Sequence, residues 1–105
     1  MPEKNYRIFL DDENFIFVYV ETYQGEVMSF VVKYLTIIDG EEVEILRYDS
    51  AHETPHIDFL DVDGKTREKV WLHYLNNAQA LTFARDDIER NYQQYKERYL
   101  RWKNE

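Results

Sequence analysis

The feature that most constrains this chain is a change of hydrophobic period about two-thirds of the way along it. Up to about residue 73, runs of β-formers are separated by turn residues. From about residue 77 to 103, apolar side chains recur at helical spacing. Two Asp-Gly pairs, Asp39-Gly40 and Asp63-Gly64, stand between such runs. Asp-Gly supplies the positive φ values that a two-residue type I′ turn needs, so each predicts a hairpin. Weaker breaks at Asp11-Asp12-Glu13-Asn14 and Tyr23-Gln24-Gly25 complete the division into strands near 5–10, 15–22, 26–38, 41–49, 56–62 and 66–72. Every connection is short except 50–55, so sequential strands are expected to pair antiparallel as a meander.

The helix has a start signal in Asn76, with Gln79 three residues on at capping-box spacing. Its stripe runs Leu81, Ala84, Ile88, Tyr92, Tyr95, Tyr99 and Trp102, all on one face. A helix of this length reaches roughly 39 Å, against about 23–30 Å for strands of seven to nine residues. The last turns, with Tyr99 and Trp102, are therefore expected to overhang the sheet and to favour a homodimer contact. The strand at 15–20 is apolar on both faces, Phe15, Phe17 and Tyr19 on one and Ile16, Val18 and Val20 on the other. One helix covers one face only. Either curvature of the sheet or a second subunit must cover the other. The fold class expected is α+β: a single domain over 1–105, with a strongly bent antiparallel β-meander of about six strands packed by one long C-terminal helix.

Composition narrows the function classes. With no cysteine, the chain has no disulfide, thiolate metal site or cysteine nucleophile. Acidic residues outnumber basic ones 21 to 13, for a net charge of −8, which disfavours RNA and anionic lipid as partners. The acid is concentrated in the first half, and the second half of the helix is locally basic (Lys96, Arg98, Arg101, Lys103). The longest apolar stretch, residues 15–20, is a strand's length and far short of a membrane span. The N-terminal residues lack the apolar run of a signal peptide, so a cytoplasmic protein is expected. Asp61-Val62-Asp63-Gly64 has the wrong spacing for a calcium loop and reads as a turn.

One segment carries the chemistry. Between Arg47 and Asp58 the chain holds two of its three histidines. Period-2 alternation puts Arg47 and Asp49 on the face of Val43 and Ile45, and His56 and Asp58 on the face of Leu60 and Val62. If the two strands pair across the 50–55 loop, Arg47, Asp49, His56 and Asp58 meet at one rim of the sheet, with His52 in the loop. Such a group could move protons at a phosphodiester, with arginine stabilising the developing charge. His52, His56 and Asp58 could instead hold a divalent metal such as Zn²⁺, Mn²⁺ or Ni²⁺; no other cofactor is indicated. A purely structural role is the third reading. In it, Asp49 makes an Asx-turn, Arg47 pairs with Asp49 or Asp58, and Pro55 launches the next strand.

The segment Arg47-Tyr48-Asp49-x-Ala51-His52-x-x-Pro55-His56 resembles the R-Y-D-x-A-x-x-x-P-H type of segment of small prokaryotic proteins, some grouped with TumE-like toxin components of toxin–antitoxin systems. The likeness is close over about ten residues and extends in outline to the whole chain. It implies a prokaryotic cytoplasmic protein working beside an antitoxin, and no reaction comes with it. Two functions are expected on these grounds. One is a ribonuclease-like protein with a site at Arg47, Asp49, His52, His56 and Asp58; the other is a non-enzymatic dimeric interaction module.

Overall fold

A computed structural model describes residues 2–51 and 54–105. It has six strands and one helix in the order β1 (Glu3–Phe9), β2 (Asn14–Tyr23), β3 (Glu26–Ile38), β4 (Glu41–Asp49), β5 (His56–Leu60), β6 (Thr66–Trp71) and α1 (Asn77–Lys103). The strands form one sheet in sequential order, each antiparallel to the next. The α+β meander expected from the punctuation is the architecture observed. No helix among the described residues is long and apolar enough to cross a membrane.

The turns differ in detail from expectation. Asp39 and Gly40 both have positive φ, 53° and 79°, as a type I′ turn requires, and so do Gln24 and Gly25, at 51° and 80°. At the second Asp-Gly pair only Gly64 is left-handed, at 82°. There the Gly64 N–H donates to the Asp61 carbonyl and the Asp61 N–H to the Lys65 carbonyl. The connection is thus a longer turn that closes at Asp61. Val62 belongs to it and not to β5, contrary to the strand limit of 62.

Helix α1 begins as its sequence signals. The Asn76 side chain accepts from the Gln79 N–H at 2.8 Å, and Gln79 accepts from the Asn76 N–H at 3.0 Å. Its inner face buries Ala80, Ala84, Ile88 and Tyr99 against Ile16, Val18, Phe30, Val32, Tyr34, Leu46 and Tyr48 of the sheet. The two small alanines let the helix approach the large tyrosines of β3 and β4. The expected overhang is absent. β3 alone is 13 residues long, roughly 43 Å of strand, and matches the helix. Tyr99 is buried at 6% exposure. Trp102 is half-buried and lies under two guanidinium groups, Arg67 at 4.3 Å and Arg98 at 4.8 Å from its ring centre. These residues are satisfied within the chain.

The other face of β2 is covered partly by curvature. Phe15 and Leu35 are buried, and Phe17 and Tyr19 are half-buried. Arg7 of β1 reaches Glu42 at the start of β4 at 3.4 Å, across two intervening strands. That contact requires the sheet to curl toward the side away from the helix. Bulges interrupt the ladder between Glu21 and Thr22, between Tyr34 and Leu35 and between Phe59 and Leu60, and bulges increase local twist and bending. Asp11 ties down the β1–β2 connection by accepting the N–H groups of Glu13 and Asn14 at 2.8 and 2.9 Å. The Glu13 N–H first, and then the Asn14 side-chain amide, lower the pKa of the Asp11 carboxyl.

Candidate metal centre

The bulge in β4 decides which way the site faces. Thr36 pairs with Val43, but Lys33 pairs with Arg47, so Ile45 is the extra residue. The positions 36 and 33 lie on opposite faces of β3. Val43 therefore faces the helix, and Arg47 and Asp49 face away from it. The expectation that Arg47 and Asp49 continue the face of Val43 is corrected by this single inserted residue. Asp49, His56 and Asp58 do come together, on the face remote from α1, because Asp49 pairs with His56 and Arg47 with Asp58.

All three are buried, at 8%, 2% and 8% exposure. His56 Nε2 lies 3.0 Å from Asp49 Oδ1 and 3.4 Å from Asp58 Oδ2. Its Nδ1 lies 3.0 Å from the Thr54 carbonyl oxygen. A carbonyl only accepts, so Nδ1 carries the proton that it donates. The Nε2 lone pair then points between two carboxylates, an arrangement that calls for a proton or a cation among them. Ligand atoms from the three residues lie within 4.8 Å of one another. Two ligands about 2.1 Å from one ion, at 90–109° to each other, are roughly 3.0–3.4 Å apart. Those are the two separations found. Asp58 Oδ1, moreover, is buried without a hydrogen-bond partner among the described residues, although the Lys69 ammonium stands 3.4 Å away.

The remaining expected residues divide. His52 lies outside the described residues. Arg47 sits in register with Asp58, but its guanidinium bonds Glu44 instead, Nε at 3.1 Å and a terminal nitrogen at 2.8 Å. The expected ion pair with Asp49 or Asp58 is not formed, because the bulge brings Glu44 onto the same face, in the row next to Arg47. The Asx-turn does form, with the Ala51 N–H donating to Asp49 Oδ1 at 2.9 Å. Two neighbours escaped sequence reasoning, Lys69 beside Asp58 and Trp71, whose ring centre is 5.0 Å from that of His56. Counting back from Asp63-Gly64 sets Asp58 opposite Lys69 and His56 opposite Trp71, the observed pairs. The signal was available in the hairpin register.

The triad opens at Asp49 onto a groove of about 410 Å³ lined among others by Tyr19, Val31, Lys33, Arg47 and Ala51. Two cations here share one acid, since Lys33 also contacts Glu44, at 3.3 Å. The chain belongs to the DUF7718 family, a domain of unknown function that matches residues 1–105. No curated protein and no solved structure matches it. For DUF7718 the chemistry must therefore be read from the centre itself. One imidazole and two carboxylates are a donor set suited to Mn²⁺, Zn²⁺ or Ni²⁺. Three protein ligands leave coordination positions for water and substrate. The Nδ1 bond to Thr54 fixes the ring in the orientation a ligand histidine needs.

Proposed function

We propose that this protein binds one divalent cation through Asp49, His56 and Asp58 and uses it to hydrolyse a phosphate ester, in the manner of a small cytoplasmic ribonuclease-like protein. The observation that carries the reading is His56 itself, protonated at Nδ1 by its backbone contact and aimed at 3.0 and 3.4 Å at two carboxylates. A bound cation would supply an activated water and a Lewis acid. The chain's own part is to neutralise the cation with two carboxylates and to keep the imidazole oriented. Arg47 and Lys69, in the same cross-strand row as Asp58, would receive the anionic ester oxygens. The likeness to TumE-like toxin components agrees with a protein working beside an antitoxin and carries no reaction of its own.

Titration calorimetry with Mn²⁺ and Zn²⁺ is expected to give one site per chain. His56→Ala should lower the affinity at least tenfold and end cleavage of a labelled RNA by the metal-loaded protein. Normal metal affinity in His56→Ala would sink the reading.

A second reading, a homodimer, is favoured by the open edge of the sheet and not by the helix. β1 is an edge strand. Paired antiparallel with a second copy about Asn5, it sets Glu3 opposite Arg7 and Lys4 opposite Tyr6, complementary in each case. Sedimentation velocity is expected to show a dimer that Arg7→Glu disrupts. A monomer at all concentrations disposes of this reading.

A further inference from the structure

The cross-strand registers assemble a line of side chains that no single strand reveals. On the face away from the helix, Arg7 pairs with Phe17, Phe17 with Lys33, Lys33 with Arg47, Arg47 with Asp58 and Asp58 with Lys69. One row thus crosses all six strands and holds four cations, two of them flanking a residue of the metal centre. At about 4.8 Å per strand the row is roughly 24 Å long. Its cations keep between 31% and 48% of their side-chain surface in solvent, although Glu44 pairs with Lys33 and Arg47, Glu42 with Arg7 and Asp58 with Lys69. The adjacent row runs Asn5, Tyr19, Val31, Asp49, His56 and Trp71 by the same pairings, so Tyr19 and Trp71 stand beside the cations, with Phe17 among them. The groove at Asp49 lies along these two rows.

Beyond the rows the cations stop. Glu3, Glu21 and Ser29 form the next row on one side, and Phe9, Phe15, Leu35 and Glu44 the next row on the other. The cations stand in one row, the aromatic Tyr19 and Trp71 in the next, about 7 Å away. A duplex, with phosphates on two separated backbones, would set its second backbone over the Glu3–Glu21 row or over the apolar Phe9–Phe15–Leu35 row, neither of which holds a cation. A single strand fits along the two central rows, phosphates on the cations and bases against Phe17, Tyr19 and Trp71.

We infer that the sheet face opposite the helix is a track for single-stranded nucleic acid, its backbone running across the strands from Arg7 to Lys69 and over the Asp49–His56–Asp58 centre. The inference rests on the proposed metal site and adds the form and path of the substrate. It also removes the apparent conflict with a net charge of −8. Of the chain's 21 acidic residues only Asp49 and Asp58 lie in the two rows, and a cation at the centre offsets both.

Fluorescence anisotropy on the Mn²⁺-loaded protein tests this, with a labelled 12-mer of uridine, a hairpin duplex, a uridine dinucleotide and a poly-glutamate peptide as probes, and with metal binding followed in parallel by calorimetry. The 12-mer is expected to bind at least tenfold more tightly than the duplex or the peptide. Three to four phosphate contacts should give a salt slope of about −2 to −3. Arg7→Ala, far along the row from the triad, should weaken the 12-mer several-fold, flatten that slope by about 0.7, and leave dinucleotide and metal binding unchanged. If metal binds and the 12-mer does not, or if duplex or peptide binds equally well, the track is wrong while the metal centre stands. If Arg7→Ala has no effect on the 12-mer, the path is wrong. If no metal binds, the metal reading fails and takes this inference with it.

Discussion

Asp58→Asn is expected to leave the metal-free protein within about 1 kcal/mol of wild type and to abolish its stabilisation by a divalent cation. The two halves of this result have different causes. Without metal, Asp58 contributes little. One of its oxygens has no hydrogen-bond partner among the described residues and only a 3.4 Å ion pair with the solvent-exposed Lys69, and the other meets His56 Nε2 at 3.4 Å. An asparagine of nearly the same shape can donate its amide N–H to the Nε2 lone pair and removes a buried negative charge. With metal, the lost carboxylate is one of three protein ligands. A cation at a hundredfold excess over its Kd stabilises the folded state by about 2.7 kcal/mol, roughly 10 °C in Tm for a domain of this size. Thermal melts of wild type and variant, each with Mn²⁺ and with EDTA, separate these terms. A purely structural triad predicts the reverse pattern, with Asp58→Asn destabilised in EDTA and no metal shift in either protein.

The sequence made the strand order, the helix and the meeting of Asp49, His56 and Asp58 legible, for reasons that lie in particular residues, although the metal ligands expected from it were His52, His56 and Asp58. Turn residues divide β1 to β6 where the strands end to within two residues, and the Asn76–Gln79 capping box starts the helix at Asn77. The meander then forces Asp49, His56 and Asp58 together, since the 50–55 loop joins adjacent antiparallel strands. Facing was not legible. An extra residue at Ile45 reverses the parity of β4, and nothing in Glu44-Ile45-Leu46 announces a bulge. Consequently the partner of Arg47 was misread, because Glu44 joins its face only through that bulge. The β5–β6 hairpin shows the opposite outcome. Its turn closes a residue away from the expected Asp-Gly register, pairing Leu60 with Thr66, and a bulge at Arg67 restores the register from Phe59 onward. Two errors cancel, so Lys69 and Trp71 land where the simple count puts them. The overhang failed for another reason, since a typical strand length was applied to β3, the one strand long enough to span the helix.

The second large effect lies behind the site. Tyr48 stands between Arg47 and Asp49 on β4 but points to the opposite face, where it is fully buried. Its hydroxyl donates to Asp87 of α1. The same carboxylate accepts from the Tyr95 hydroxyl, at 2.9 and 2.8 Å to its two oxygens, and from the Asn91 amide at 2.9 Å. One acid on the helix thus clamps the strand that carries Asp49. Asp87→Ala is expected to cost about 3 kcal/mol, because hydrogen bonds to a charged group are each worth about 1.5–3 kcal/mol and the buried Tyr48 hydroxyl would be left unpaired. Tyr48→Phe removes one donor and leaves Asp87 its bonds to Tyr95 and Asn91, so it should cost less. The double variant should recover about 1 kcal/mol or more of coupling in a urea-denaturation cycle; additive losses would mean that the two residues act separately. The clamp also sets an alkaline limit. Burial, and then the bond to Asp87, push both tyrosine hydroxyls well above the ordinary value of 10.0. In the unfolded chain they ionise near 10, whereas in the folded chain they keep their protons. Stability from this source is therefore complete below about pH 10 and falls as pH rises through and beyond it. Tyr48→Phe should flatten that alkaline decline, measured as urea midpoints from pH 8 to 11. An unchanged decline would place its origin in other groups, and the clamp would then be a packing contact alone.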